Sequence, residues 1–150
     1  MKKKLIIMRG LPGGGKSTFV RQNMTLQLEC GAKSIAVCST DDQFVDTTGK
    51  YVFDASKLGV NHANNQVKCQ KMMNAGVEII YIDNTNTTHK EMRPYKEFAE
   101  TYGYEVEEVL IGEESLFPSM NADYIDMCAK RNTHGVPRDA ILRMARRFEK

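Results

Sequence analysis

Residues 10 to 18 read Gly-Leu-Pro-Gly-Gly-Gly-Lys-Ser-Thr, directly after the apolar run Leu5-Ile6-Ile7-Met8 and at the head of a helix-forming stretch. This fits the spacing G-x-x-x-x-G-K-[ST] in the context its mechanism requires, a strand that runs through a tight turn into a helix. The glycines let successive backbone N–H groups curl inward around an anion, and the helix dipole adds positive potential at the same place. A plain strand-to-helix turn needs the glycines but gives no reason for Lys16 and Ser17. The loop therefore reads as a phosphate cradle. Gly13, Gly14, Gly15, Lys16, Ser17 and Thr18 are the candidate nucleotide-binding residues, with Lys16 reaching the β- and γ-phosphates and Ser17 ligating Mg2+.

Strand-like and helix-like stretches alternate along the whole chain with no linker or low-complexity segment, the pattern of an α/β domain with a parallel sheet. The first strand is expected over Lys3 to Arg9 and the first helix from Lys16 to near Cys30, stopped by Gly31. A second strand, Ser34 to Ser39, leads to Asp41-Asp42 and a turn at Thr48-Gly49-Lys50. A helix follows that Asp54 can cap and Gly76 can end. Val77 to Ile82, nearly all apolar, reads as a central strand that delivers Asp83 to its carboxyl end. Thr88 to Glu91 has capping-box spacing and opens a helix to about Tyr102, with Pro94 limiting where the first turn lies. Tyr104 to Ile111 is a fourth strand, and a helical pair follows over Ala122 to Arg131 and Pro137 to Phe148, with Pro137 as a first helical residue.

With Lys+Arg 21 against Asp+Glu 19 and a formal charge of +2, the chain lacks the bulk charge of a polybasic nucleic-acid binder, so an anionic partner must be gripped locally. The charge is nevertheless segregated. Lys2, Lys3, Lys4, Arg9, Lys16 and Arg21 come first with no acid among them, the middle is acidic, and the last segment is basic again. If both ends converge on the phosphate loop they make a local anion site. A hydrophobic fraction of 41% over 150 residues suits one compact domain, residues 1–150. The four cysteines form no C-x-x-C pair and no His/Cys cluster has metal spacing, so free thiols in a reducing compartment are expected. No apolar run is long enough for a membrane span, and the localisation expected is cytoplasmic.

Phosphate binding alone does not select a reaction, so the other strand ends must. Asp41 follows the second strand at the carboxyl edge of the sheet, where a carboxylate can orient an acceptor hydroxyl and take its proton. Capping of the next turn is the alternative use of Asp41 and Asp42. Asp83 ends an apolar strand as the carboxylate of a Walker B segment does, placing it to hold Mg2+ directly or through water, while Asn84 to Thr88 can be loop only. From Met127 onward basic residues outnumber acidic ones, and a basic helical segment of this kind can close over ATP as a lid, approximately residues 121–137. Arg131, at the end of the first lid helix, is the candidate to touch transferring phosphate, and Arg143, Arg146 and Arg147 read as solvated surface. Phe44, Tyr51 and Phe53 can line an acceptor groove and stack on a terminal base, or serve as core.

Together, Gly10 to Thr18, Ser-Thr-Asp-Asp (39 to 42), Ile-Asp-Asn-Thr-Asn-Thr (82 to 87) and Lys-Arg-Asn-Thr-His-Gly-Val-Pro (130 to 137) resemble the P-loop kinases grouped with bacteriophage polynucleotide kinase, and most of all the kinase domain of the Nedd-four-binding protein and its relatives. The resemblance implies a three-layer α/β P-loop NTPase fold of the nucleoside-kinase-like type, with a small parallel sheet and a C-terminal helical lid. It implies transfer of the γ-phosphate of ATP to the 5′-hydroxyl end of DNA or RNA. Lys16 and Ser17 would serve phosphate and Mg2+, Asp41 would be the general base, Asp83 would support the site, and Arg131 with Val136 would contact the nucleotide from the lid. Phe44 stands where the phage kinase has an arginine, and His134 stands near a further lid arginine of that enzyme. Two other functions compete: a kinase of a small-molecule hydroxyl, and a nucleotide-binding module without transfer activity. Neither the oligomeric state nor the choice between DNA and RNA is written in the sequence.

Overall fold

Alternation within the first strand, β1 (Lys4–Arg9), sets the layers of the molecule, which a computed structural model describes over residues 2–150. Leu5 and Ile7 face one side of the sheet and Ile6 and Met8 the other, all buried, as the two-residue period of a strand demands. Three more strands, β2 (Ile35–Cys38), β3 (Ile79–Asp83) and β4 (Glu105–Leu110), join β1 in the order β2-β3-β1-β4, every pair parallel. Helix α1 (Lys16–Glu29) covers the Ile6/Met8 face through Val20, while α2 (Leu58–Asn74) and α3 (His89–Tyr102) cover the Leu5/Ile7 face through Cys69, Met73, Met92 and Tyr95. The result is the expected three-layer α/β sandwich with a small parallel sheet.

After β4 come the short helical turn α4 (Glu113–Leu116) and the antiparallel-spaced pair α5 (Ala122–Arg131) and α6 (Arg138–Arg147). These build a core of their own from Leu116, Ile125, Cys128, Ile141, Ala145 and Phe148. Leu11 of the phosphate loop is fully buried in that same core. The C-terminal hairpin is therefore docked against the loop it was expected to cover.

Several boundaries differ from the sequence reading, each for a local reason. β3 starts at Ile79 because Glu78 is diverted: its N–H donates to Ser34 Oγ (2.9 Å) and its carboxylate accepts from the Lys33 N–H (2.7 Å). Asp54 caps a 3-10 turn, Ala55–Lys57, by accepting from the Ser56 N–H, and α2 begins only at Leu58. The capping box of α3 is offset by one: Thr88 Oγ1 accepts from the Glu91 N–H, but the Glu91 carboxylate returns to the Thr87 N–H and hydroxyl. Pro94 lies inside α3, forfeiting one hydrogen bond to the exposed Lys90. Pro137 sits one residue ahead of its helix, where its carbonyl accepts from Ala140 and Ile141. Among the described residues no helix is long and apolar enough to cross a membrane.

Candidate functional site

Parallel strands bring their carboxyl ends to one edge, and the register there is set by Met8 opposite Asp83 and Cys38 opposite Ile82. The phosphate loop leaves β1 at that edge, Asp83 closes β3, and Ser39 to Asp42 leave β2. The sequence motifs thus meet at the end of the sheet where open α/β folds hold ligands.

Lys16 Nζ donates to the Leu11 carbonyl across the loop at 3.0 Å, which holds the ammonium over the glycine turn. Burial lowers the Lys16 pKa from the ordinary lysine value, opposed by the nearby carboxylates of Asp83 and Asp41. Ser17 Oγ donates to Asp83 Oδ2 at 3.0 Å, and burial holds the Asp83 carboxyl above the ordinary range against the pull of Lys16 and Ser17. In both groups burial outweighs the attraction of the opposite charge. Gly15, with φ 105°, has nothing within 4 Å of where a Cβ would lie. Gly13 is the opposite case: a Cβ there would lie 2.2 Å from the Cys128 carbonyl oxygen and 2.8 Å from the Asn132 nitrogen. Thr18 is exposed on the first turn of α1, its hydroxyl accepting from Arg21 Nη2 at 3.4 Å.

These groups fit both expected ligands. The glycine loop with its half-buried lysine ammonium suits a polyphosphate. Among the described residues no three His, Cys, Asp or Glu side chains gather as a metal cage. The Ser17 hydroxyl and Asp83 carboxylate are the kind of small oxygen set that suits Mg2+, whose other ligands are phosphates and water.

Asp41 is half-buried in a 3-10 turn, Thr40–Phe44, held by two bonds that no local spacing reveals. The Thr40 N–H donates to Asn84 Oδ1 at 2.9 Å, and Thr40 Oγ1 lies 3.0 Å from His62 Nδ1. Asn84 belongs to the segment read as possible plain loop. Its neighbour Asn86 donates to the Met8 carbonyl at 2.7 Å from a backbone at φ 45°, so the segment is a brace between β1, β3 and the Asp41 turn. Behind it, Asn65 donates to the Tyr95 hydroxyl at 2.9 Å in the core. Only the side-chain partners reveal this brace; a polar run after a strand looks the same with or without them.

From the lid turn, His134 Nδ1 comes within 3.3 Å of Asp41 Oδ2. The His134 ring stacks on Tyr51, with centroids 4.3 Å apart and 29° between planes. Tyr51 lies 6.1 Å from Phe44, and Phe44 5.1 Å from Phe53, so four rings form a row that starts at Asp41. Phe44 is buried and Phe53 is 56% exposed. Burial, then the Asp41 carboxylate, push the Tyr51 hydroxyl above the ordinary tyrosine value.

Arg131 ends α5 as expected, exposed, with Nη1 3.7 Å from Met127 Sδ. Val136 packs half-buried against the hairpin core, and both its N–H and its carbonyl are held by the Asn132 side chain. The expected convergence of both basic ends is not found. Lys2 pairs with Glu105 and Lys3 lies over the Tyr104 ring, both at the amino edge of the sheet, away from the loop. Arg9 is buried and spends its guanidinium on the carbonyls of Asn86, Thr87 and Glu149, on Glu108, and on the face of Phe148. Arg147, read as free surface, donates to Thr87 Oγ1 at 3.1 Å.

A family model described as the AAA domain matches residues 5–150. Human NEDD4-binding protein 2 is 35% identical over 146 residues, which is 97% of this chain and 8% of that protein. The chain thus spans a small fraction of the length of this curated relative. Among solved structures, a chain of the Pnkp1/Rnl/Hen1 RNA repair complex is similar with a TM-score of 0.65 at 17% identity, over 97% of this chain and 44% of that one. The Mycobacterium tuberculosis APS kinase CysC, solved in complex with AMPPNP and APS, is similar with a TM-score of 0.55 at 17% identity, over 73% of this chain and 62% of that one.

Proposed function

The chain belongs to the AAA domain family and has a kinase-like P-loop fold, and from that premise we propose that it is an ATP-dependent phosphotransferase whose acceptor is the 5′-hydroxyl end of a polynucleotide. The observation that carries the reading is the position of Asp41, at the same carboxyl edge of the sheet as the phosphate loop and at the head of a row of aromatic rings. A nucleotide store needs the loop but not a carboxylate facing it. A kinase needs both.

In this reading the loop N–H groups and Lys16 bind the β- and γ-phosphates of ATP, Lys16 exchanging the Leu11 carbonyl for a phosphate oxygen. Ser17 and Asp83 would hold Mg2+, which when bound draws charge from the phosphate oxygens. Arg131 adds positive charge from the lid, and Val136 offers the nucleotide an apolar edge. Asp41 orients the acceptor hydroxyl and receives its proton as the new O–P bond forms. Phe53, exposed at the far end of the ring row, offers a stacking face for a nucleobase, a contact worth about 1–3 kcal/mol per base. A groove of about 280 Å³ beside it is lined by Phe44, Val45 and Val52 together with Gln43, Asp46, Asp54 and Lys57.

The test is transfer of labelled γ-phosphate from ATP to oligonucleotides ending in a 5′-hydroxyl. Asp41→Asn is expected to slow transfer by about 10²- to 10⁴-fold. Equal rates in the two proteins would remove Asp41 from the chemistry. A second reading, phosphorylation of a small-molecule hydroxyl, draws on Phe44: the side chain is buried and uncharged, so no cation from this position meets an acceptor phosphate. An acceptor panel of 5′-hydroxyl RNA, 5′-hydroxyl DNA and free nucleosides separates the two.

A further inference from the structure

We propose that His134 is a positioning residue for Asp41, and that the base of the site is complete only when the lid turn is in place. This rests on the phosphotransferase reading above and assigns a new role within it. Three separate parts of the chain supply the arrangement: the turn after β2 brings Asp41, the segment around Val45 and Tyr51 brings a ring, and the lid turn brings the imidazole. The contact is held from both sides. Tyr51 stacks on the imidazole, and Asn132 ties the lid turn shut, donating to the carbonyls of Ala129 (2.8 Å) and Val136 (3.1 Å) and accepting from the Val136 N–H (2.8 Å). Thr40, next to Asp41, is pinned by Asn84 and His62, so the carboxylate has little freedom to follow a moving partner.

The geometry engages one carboxylate oxygen. His134 Nδ1 faces Oδ2 beside the Tyr51 hydroxyl, which also bears on this carboxylate, and Oδ1 is assigned to the acceptor hydroxyl. In the transfer step the acceptor O–H bond breaks and its proton goes to Oδ1 of Asp41. The acceptor oxygen forms a bond to the γ-phosphorus, the bond from that phosphorus to the β,γ-bridging oxygen breaks, and ADP leaves with the electron pair. His134 stays against Oδ2 through its Nδ1 edge and fixes the plane of the carboxylate. It touches neither phosphate nor acceptor.

The test pairs kinetics with a direct reading of the imidazole. His134→Ala is expected to lower kcat about 10- to 100-fold, as loss of orientation at a reacting group does, with the KM for ATP little changed. His134→Asn, which restores an N–H donor near the Nδ1 position, is expected to recover most of the rate. On an Asp41→Asn background, His134→Ala should cost less than about twofold more, because the group it orients is already gone. If His134→Ala slows the Asp41→Asn protein as much as it slows the parent, or if His134→Asn rescues nothing, the assignment is overturned. Imidazole ¹⁵N signals of the full chain give the second readout: a protonated Nδ1 on His134 that changes in Asp41→Asn is expected. An unprotonated Nδ1 indifferent to Asp41 overturns the pairing. Those signals are read with no acceptor present, so a changed signal without transfer to any oligonucleotide sinks the polynucleotide reading and leaves the pairing standing.

Discussion

Tyr95 illustrates how far a single side chain at the back of the site can be followed. It is 2% exposed, accepts from Asn65 Nδ2, and its hydroxyl is pushed by burial from 10.0 to about 12. In the folded protein the proton is held more tightly than in the unfolded chain. The stability this contributes is whole below the unfolded value of 10.0 and is lost as pH rises toward the folded value of about 12. The loss across that window is about 2–3 kcal/mol. Urea unfolding of the parent and Tyr95→Phe across the alkaline range should give curves that cross there, because the variant starts about 1 kcal/mol lower near neutrality for the partner Asn65 loses but escapes the larger alkaline loss. Curves that stay parallel would show that Tyr95 does not titrate with folding. Arg9 makes a related point about legibility. In the sequence it is one more cation near a phosphate loop; in the fold it is a buried clamp on the Asn84–Thr88 brace and on Glu149. Lys16, Ser17, Asp41 and Asp83 could be picked out beforehand because their chemistry is tied to short spacing. The partners of Arg9, Asn84 and His134 could not, because they lie roughly 45 to 140 residues away.

At the scale of elements, strands and helices were legible because period and caps are local, and the errors fell where a side chain from elsewhere competes for a backbone group, as at Glu78 and Thr87. What periodicity did not disclose is that the C-terminal hairpin and the phosphate loop share one core through Leu11. Two glycines in the same loop separate packing from phosphate binding. Gly13→Ala forces a Cβ into the α5 backbone at φ 78°, and should cost about 2–4 kcal/mol of stability from overpacking and backbone strain together. Gly15→Ala meets no neighbour and should cost only about 1–2 kcal/mol from its φ of 105°, while weakening nucleotide binding by crowding the open side of the loop. Thermal unfolding and ATP titration of both variants check this; equal loss of stability would deny the loop–α5 contact its role.

For the molecule as a whole, the near-balanced charge acquires a direction. Lys2 and Lys3 lie at the amino edge of the sheet, whereas Lys16 and Arg131 belong to the loop and lid at its other end. With Lys16 and Arg131 the cations assigned to the site, contact with a polymer should engage no more than about two or three phosphates. The plot of log K against log salt for a single-stranded oligonucleotide should then have a slope no steeper than about −2. A steep slope, or affinity that climbs with oligonucleotide length, would point to a track of contacts along the strand that the charge layout does not supply. Gly13 and the Cys128 carbonyl leave no slack between the loop and the hairpin. In mechanical terms the two are meshed: a shift of the backbone at Gly13 has to be matched by α5, which carries Arg131 and, just beyond it, the turn with His134.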